Sequence, residues 1–169
     1  MAINPIGLRL QAYRQDLTAR IDDRSAEHAT IRDAVGRILQ TCLGPEGLTA
    51  AFGHAPGAIG AMPPFALSLW ETGTSVTQTF NPDAEGHEEE QEITLALIVA
   101  VAPLGPDLVR LQALAENWEL PLWLLVDENS TLDGTVIEAR HVSFALETLP
   151  WGDSTYYCAV ERVRCTLVR

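Results

Sequence analysis

Between Glu88 and Pro103 the chain reads EEEQEITLALIVAVAP, and a strict period of two runs through it. Ile93, Leu95, Leu97, Val99 and Val101 share one parity, while Glu88, Glu90, Glu92, Thr94, Ala96, Ile98 and Ala100 share the other. Successive side chains of a strand point to opposite faces, so the segment is a strand with one wholly aliphatic face. Its partner is upstream, where Phe65, Leu67 and Leu69 alternate with Ala66, Ser68 and Trp70 and the pattern continues through Val76 to Phe80. Asn81-Pro82-Asp83 and Gly86 supply turn chemistry between the two. The spacing predicts a long antiparallel hairpin over about 65–102, with its tip near 81–87.

Around the hairpin the period changes to that of helices. Ile31, Ala34, Val35, Ile38, Leu39 and Cys42 form a full apolar stripe that Gly44-Pro45 ends, and Thr30 with Asp33 reads as a capping-box-like start. Ile6, Leu10, Tyr13, Leu17 and Ile21 give a thinner stripe, so residues 1–24 read as a helical N-terminal extension to a single domain over 25–169. Residues 44–64, with five Gly and four Pro, are mostly loop with a short strand near Leu48 to Phe52. Asp107 can start a helix with Leu108, Leu111, Leu114 and Ala115 on its apolar face. Pro121 then either kinks that helix or opens a short buried strand, PLWLLV; a kinked helix is preferred. Gly134 is placed for positive φ in a turn, a strand follows over Val136 to Glu147, Pro150-Trp-Gly-Asp153 turns the chain, and Thr155 to Val168 is the last strand. The order defines an α+β fold, a largely antiparallel sheet with helices packed on one face.

Composition narrows the function. All eleven cations are arginine, and residues 38–109 hold nine acids and no arginine within a net charge of −12. Such a surface repels DNA phosphates rather than gripping them, which argues against a nucleic-acid binder but not against a wall that DNA slides past. No apolar run approaches the ~18 residues that span a bilayer. The start, MAINP, has neither a basic segment nor an apolar core of a secretion signal, so a soluble protein retained where it is made is expected. Cys42, Cys158 and Cys165 match neither a disulfide framework nor a zinc motif, and Cys158 and Cys165 fall on opposite strand faces; buried thiols are expected.

The cluster His87-Glu-Glu-Glu-Gln-Glu92 invites a metal or an acid/base reading. A zincin needs a second imidazole four residues after the first, and Gln91 stands there. On a strand His87 shares its face with Glu89 and Gln91, away from Glu88, Glu90 and Glu92, and alternate glutamates sit ~6.8 Å apart, too far to converge on one ion. Nothing in the spacing predicts a cleft that would tune a carboxylate. No nucleophile elbow is present, and the glycines of GHAPGAIG, Gly53 to Gly60, match no phosphate loop and read as a connector. His28, His54 and His141 stand alone and read as surface or loop residues. The four tryptophans are expected mainly in the core. No catalytic, cofactor-binding or metal-binding residue is assigned. Arg162 and Arg164, two apart on one strand face, are the candidates to meet Glu88, Glu90 and Glu92 across a sheet or a subunit boundary.

The pattern resembles the tail-terminator family of long-tailed bacteriophages. The resemblance rests on TIRDAVGRIL (Thr30 to Leu39), PPFALSLWE (Pro63 to Glu71), EEEQEITLALIVAVAP, TLDGTV (Thr131 to Val136) and the closing YYCAVERVRCTL (Tyr156 to Leu167), in that order and spacing over residues 30–168. It departs from the family in its first 29 residues and at Pro121. The resemblance implies a non-enzymatic virion protein without a cofactor, located at the head-proximal end of the tail and in host cytoplasm during assembly. Such a protein forms a homo-oligomeric ring, hexameric in the family, that caps the tail tube, ends its polymerisation and joins it to the head. Implied partners are the tail-tube subunit, a head-proximal connector or stopper protein and the tape-measure protein, with DNA only in transit through the lumen and no membrane. Glu88, Glu90, Glu92, Arg162 and Arg164 are then interface or lumen electrostatics. Two alternatives stand beside this: another neck or tail-tube component, and a small acidic metal-dependent hydrolase using His87 and its neighbouring glutamates.

Overall fold

The computed structural model describes residues 26–54, 56, 60–80 and 87–168, and of residues 72–80, 87–90 and 168 the backbone only. The helix expected over 5–21 and the hairpin tip lie outside them. The elements are α1 (26–43), a 3-10 turn (Gly44–Glu46), β1 (Ala50–Phe52), β2 (Phe65–Phe80), β3 (His87–Pro103), α2 (Leu108–Glu116), α3 (Glu119–Glu128), β4 (Glu138–Trp151) and β5 (Ser154–Val168). The strands form one sheet in the order β1-β2-β3-β5-β4, antiparallel throughout except for the short parallel pair of β1 with β2. The expected α+β architecture and its hairpin are both present, with Phe65 opposite Ala100 and Phe80 opposite His87.

β3 sits at the centre of this sheet and is covered on both sides. Ile93, Leu95, Leu97, Val99 and Val101 join the main core with Ile31, Val35, Ile38 and Leu39 of α1 and Leu122, Leu125 and Val126 of α3. Ala96, Ile98 and Ala100, on the opposite parity, pack with Phe65, Leu67, Cys158 and Val160 in a second cluster that, among the described residues, no helix enters. The helices therefore lie on one face, as the pattern predicts.

Local chemistry corrects several boundaries. Residues 26–30 are already helical, so Thr30 is not a cap; its hydroxyl donates to the Ala26 carbonyl at 3.0 Å, the backward bond a threonine makes inside a helix. Asp107 does cap α2, accepting from the Arg110 amide at 3.1 Å. Only Leu111 and Ala115 of that helix are buried, whereas Leu108 and Leu114 face outward. The chain breaks at Asn117-Trp118, and Pro121 falls in the first turn of α3, where its missing N–H costs no intrahelical bond. PLWLLV is thus helical, in a second helix rather than a kinked one. The turn before β4 takes positive φ at Leu132 (44°), Asp133 (57°) and Gly134 (77°), of which the sequence announces only the glycine.

Gly53 is not a free connector. α1 crosses the end of β1 so closely that a methyl placed on Gly53 falls 1.7 Å from the Arg32 carbonyl oxygen, and one on Gly36 falls 3.0 Å from the Gly53 nitrogen. The buried Ser68 hydroxyl donates to the Gly53 carbonyl at 2.6 Å, fixing this crossing to β2. Gly53→Ala should therefore lower stability by on the order of 3 kcal/mol, while Gly105→Ala, in open space, should change it little; urea midpoints of the two variants check this.

The three thiols are unpaired, with Cys158 and Cys165 buried on opposite faces and Cys42 half-buried. Burial pushes both Cys158 and Cys165 up to about 12, so neither ionises near neutrality. Thiol titration with a disulfide reagent should modify at most Cys42 in the folded protein and all three in denaturant.

Candidate functional site

Consecutive residues of β5 point to opposite faces, and at Glu161-Arg162 this places two charges on the two sides of the sheet. Glu161 follows the parity of Ala159, Val163 and Cys165, so an acid stands on the helix-facing core side. Its side chain is 3% exposed, and its Oε1 accepts a hydrogen bond from the His141 Nδ1–H at 2.7 Å. His141 reaches it from β4, and Trp123 of α3 stacks on the imidazole with 5.2 Å between centroids and 8° between planes. His141 is thus not a solitary surface residue. The Nδ1 proton is committed to Glu161, and Nε2 is shielded from solvent with no partner, so this pair lacks the accessible nitrogen that a general base needs.

A bulge in β4 creates this arrangement. His141 pairs with Val163 and Ser143 with Arg162, leaving Val142 as an extra residue, and Phe144 instead of Ser143 joins His141 on the inner face. Between α3 and the bulged strand lies a cavity of about 750 Å³, walled by Trp123, Leu120, Phe144, His141 and Glu161, with Glu116, Asn117 and Glu119 at its rim. Nothing in the sequence spacing predicts this cleft, which lies away from the cluster at 87–92. Burial pushes the Glu161 carboxyl above the ordinary glutamate range; the His141 hydrogen bond works against this and the Glu119 charge adds to it.

On the other face Arg162 is a three-strand tie. Its Nε donates to Glu71 of β2 at 2.8 Å and its Nη1 to Glu147 of β4 at 2.7 Å. The sequence pairs Arg162 with the row Glu88, Glu90 and Glu92; the structure gives it Glu71 and Glu147, because that row lies further along β3, opposite Thr79, Thr77 and Ser75. Side chains of Glu88, Glu90 and His87 lie outside the described residues. Glu92 is half-buried, and with Glu138, Arg140 and Arg164 it lines a polar depression of about 420 Å³. Arg164 is exposed and faces Arg140 across the β4–β5 ladder, and Arg140 is drawn to Glu138 at 2.7 Å. Among the described residues Arg164 forms no ion pair with Glu92. No three His, Cys, Asp or Glu side chains among the described residues are grouped to hold a metal ion.

The sequence reading missed Trp123, His141 and Glu161 as a set. One signal was available: Glu161 is the single acid on the apolar parity of YYCAVERVRCTL. The bulge that brings His141 to it leaves no comparable mark. Compared with family models and with curated proteins, the chain matches none.

The raised Glu161 pKa fixes the sign of one pH effect. Below the unfolded glutamate value, about pH 4, the carboxyl is protonated in both states and makes no difference to stability. As pH rises from there through the folded value, the unfolded state ionises more readily and stability falls. Glu161→Gln removes that loss and can still accept from His141. Its urea midpoint should match the native chain's near pH 4 and exceed it at pH 7 and above.

Proposed function

We propose that the protein is a ring-forming assembly protein of the tail-terminator kind, which caps a phage tail tube and joins it to the head. The observation that carries this reading is that several large apolar residues on and just before the helices are exposed, in a molecule with an unclosed sheet edge. Val109 is 82% and Leu120 63% exposed, with Leu104, Leu108 and Leu124 also outward. β4, fourteen residues long, ends the sheet, and among the described residues no strand pairs with its outer side. Exposed apolar side chains of this kind suit a protein interface, and the bulged edge of β4 leaves the contact to side chains and not to a continuous ladder. The occupant is a second copy, because a patch on one side meeting a different surface of the next copy closes a ring when the rotation allows.

The electrostatics support the same reading. A net charge of −12 gives a lumen that does not trap DNA by counterion release. The row Glu88, Glu90 and Glu92 on the long hairpin and the depression at Arg164 are the surfaces assigned to the lumen and to neighbouring subunits. The partners in this reading are the tube subunit on one side of the ring and a head-proximal connector on the other.

Native mass spectrometry of the full chain, alone and with a tail-tube subunit, should give a closed oligomer of fixed number. Val109→Asp, on an exposed position of α2, should raise the concentration needed for half-assembly by about tenfold or more with an unchanged circular dichroism spectrum. A chain that stays monomeric with tube subunit present overturns the reading.

A further inference from the structure

The cavity between α3 and β4 shares Leu120 with the exposed apolar residues of the ring reading, and its charged walls are chemically one-sided. Its charged lining comes from every element around it: Glu116 from α2, Glu119 from α3, Glu161 from β5 and His141 from β4. No arginine is among the described lining residues, although the chain has eleven. The deepest polar group is a carboxylate whose side chain is 3% exposed, and among the described residues His141 alone hydrogen-bonds to it, through one oxygen. The other oxygen has no protein partner among the described residues and is left to the cavity that Glu161 lines. Trp123 and Phe144 complete the wall, and Trp123 is 45% exposed. Aromatic faces beside carboxylates attract an organic cation twice, through the ring quadrupole and through charge. At about 750 Å³ the space is in the range of small-ligand sites.

We infer that this cavity is a binding site for an organic cation, a guanidinium or ammonium group on an apolar stem. The head reaches the Glu161 carboxylate, the stem lies along Trp123, Leu120 and Phe144, and Glu119 stands at the mouth. Two sources present this chemistry: a free amine or guanidine, and an arginine side chain of a second copy, since the chain contains no lysine.

The test titrates the full chain with N-acetyl-arginine amide, with butylammonium and with neutral N-acetyl-norleucine amide, following the Trp123 indole resonance. Saturable shifts with at least one cation and none with the neutral analogue are expected. Glu161→Gln should weaken cation binding roughly tenfold, and Trp123→Ala, which removes the reporter and is therefore followed by titration calorimetry, should abolish it, with fold checked by circular dichroism. Glu119→Gln, at the rim, gives a weaker loss and serves if the Glu161 variant does not fold. No saturable shift, equal binding of the neutral analogue, or affinity indifferent to both glutamate variants overturns the inference. Sedimentation in the same titration separates the sources: an oligomer that dissociates with N-acetyl-arginine amide takes the cation from a second copy, and one that is unchanged, or a monomer that binds, takes a free cation. Because binding is read at Trp123 itself, failure of ring assembly leaves this result intact.

Discussion

Burial of β3 on both faces is the constraint from which the rest of the structure follows. A strand whose two parities both enter apolar clusters must lie inside the sheet, so β2 and β5 flank it and the remaining strands become edges. One parity of β3 collects all the helices among the described residues. The other collects Phe65, Leu67, Cys158 and Val160 without them. Only near the hairpin tip, where Glu92 and Thr94 replace alanine and isoleucine on the second parity, does the strand revert to one buried face. The hydrophobic effect therefore sets not just the position of this strand but the point along it where the core ends and the polar arm begins.

β5 divides the charges that this core must tolerate. Glu161 goes to the helix side, where it is dry and held by an imidazole; Arg162 goes to the opposite side, where it bridges two glutamates from strands on either side of it. The two devices differ in kind. Arg162 is partly hydrated and keeps its charge with two partners, so its contribution is mainly one of position, fixing β2 and β4 relative to β5. Glu161 has lost most of its water and has gained one hydrogen bond, from His141.

Much of the fold was legible because alternation is a local property. The hairpin, its strand parities, the opposite placement of Cys158 and Cys165 and the αL glycine at 134 each need only a few neighbouring residues to be read. The failures share a cause. Thr30 imitates a cap but sits one turn inside a helix whose earlier residues continue it; Gly53 looks like loop but is set by a helix backbone 1.7 Å from where its methyl would be. Leu132 and Asp133 take positive φ without sequence warning, Leu132 being held there by burial. The pocket was least legible of all, because it needs β4 to change phase at Val142. Counting by twos from Ala139 puts Ser143 and Ala145 on the inner face, whereas the bulge puts Phe144 and Leu146 there.

The same bulge has a consequence for the free subunit. An unbroken fourteen-residue edge would offer a long flat ladder to any extended chain, its own copies included, and stacking edge on edge has no natural stopping point. Val142 interrupts the ladder one third of the way along, and Pro150 removes a donor near its far end. What remains are short runs of hydrogen-bonding groups that twist apart from each other. An edge broken in this way is poorly suited to growing into a filament.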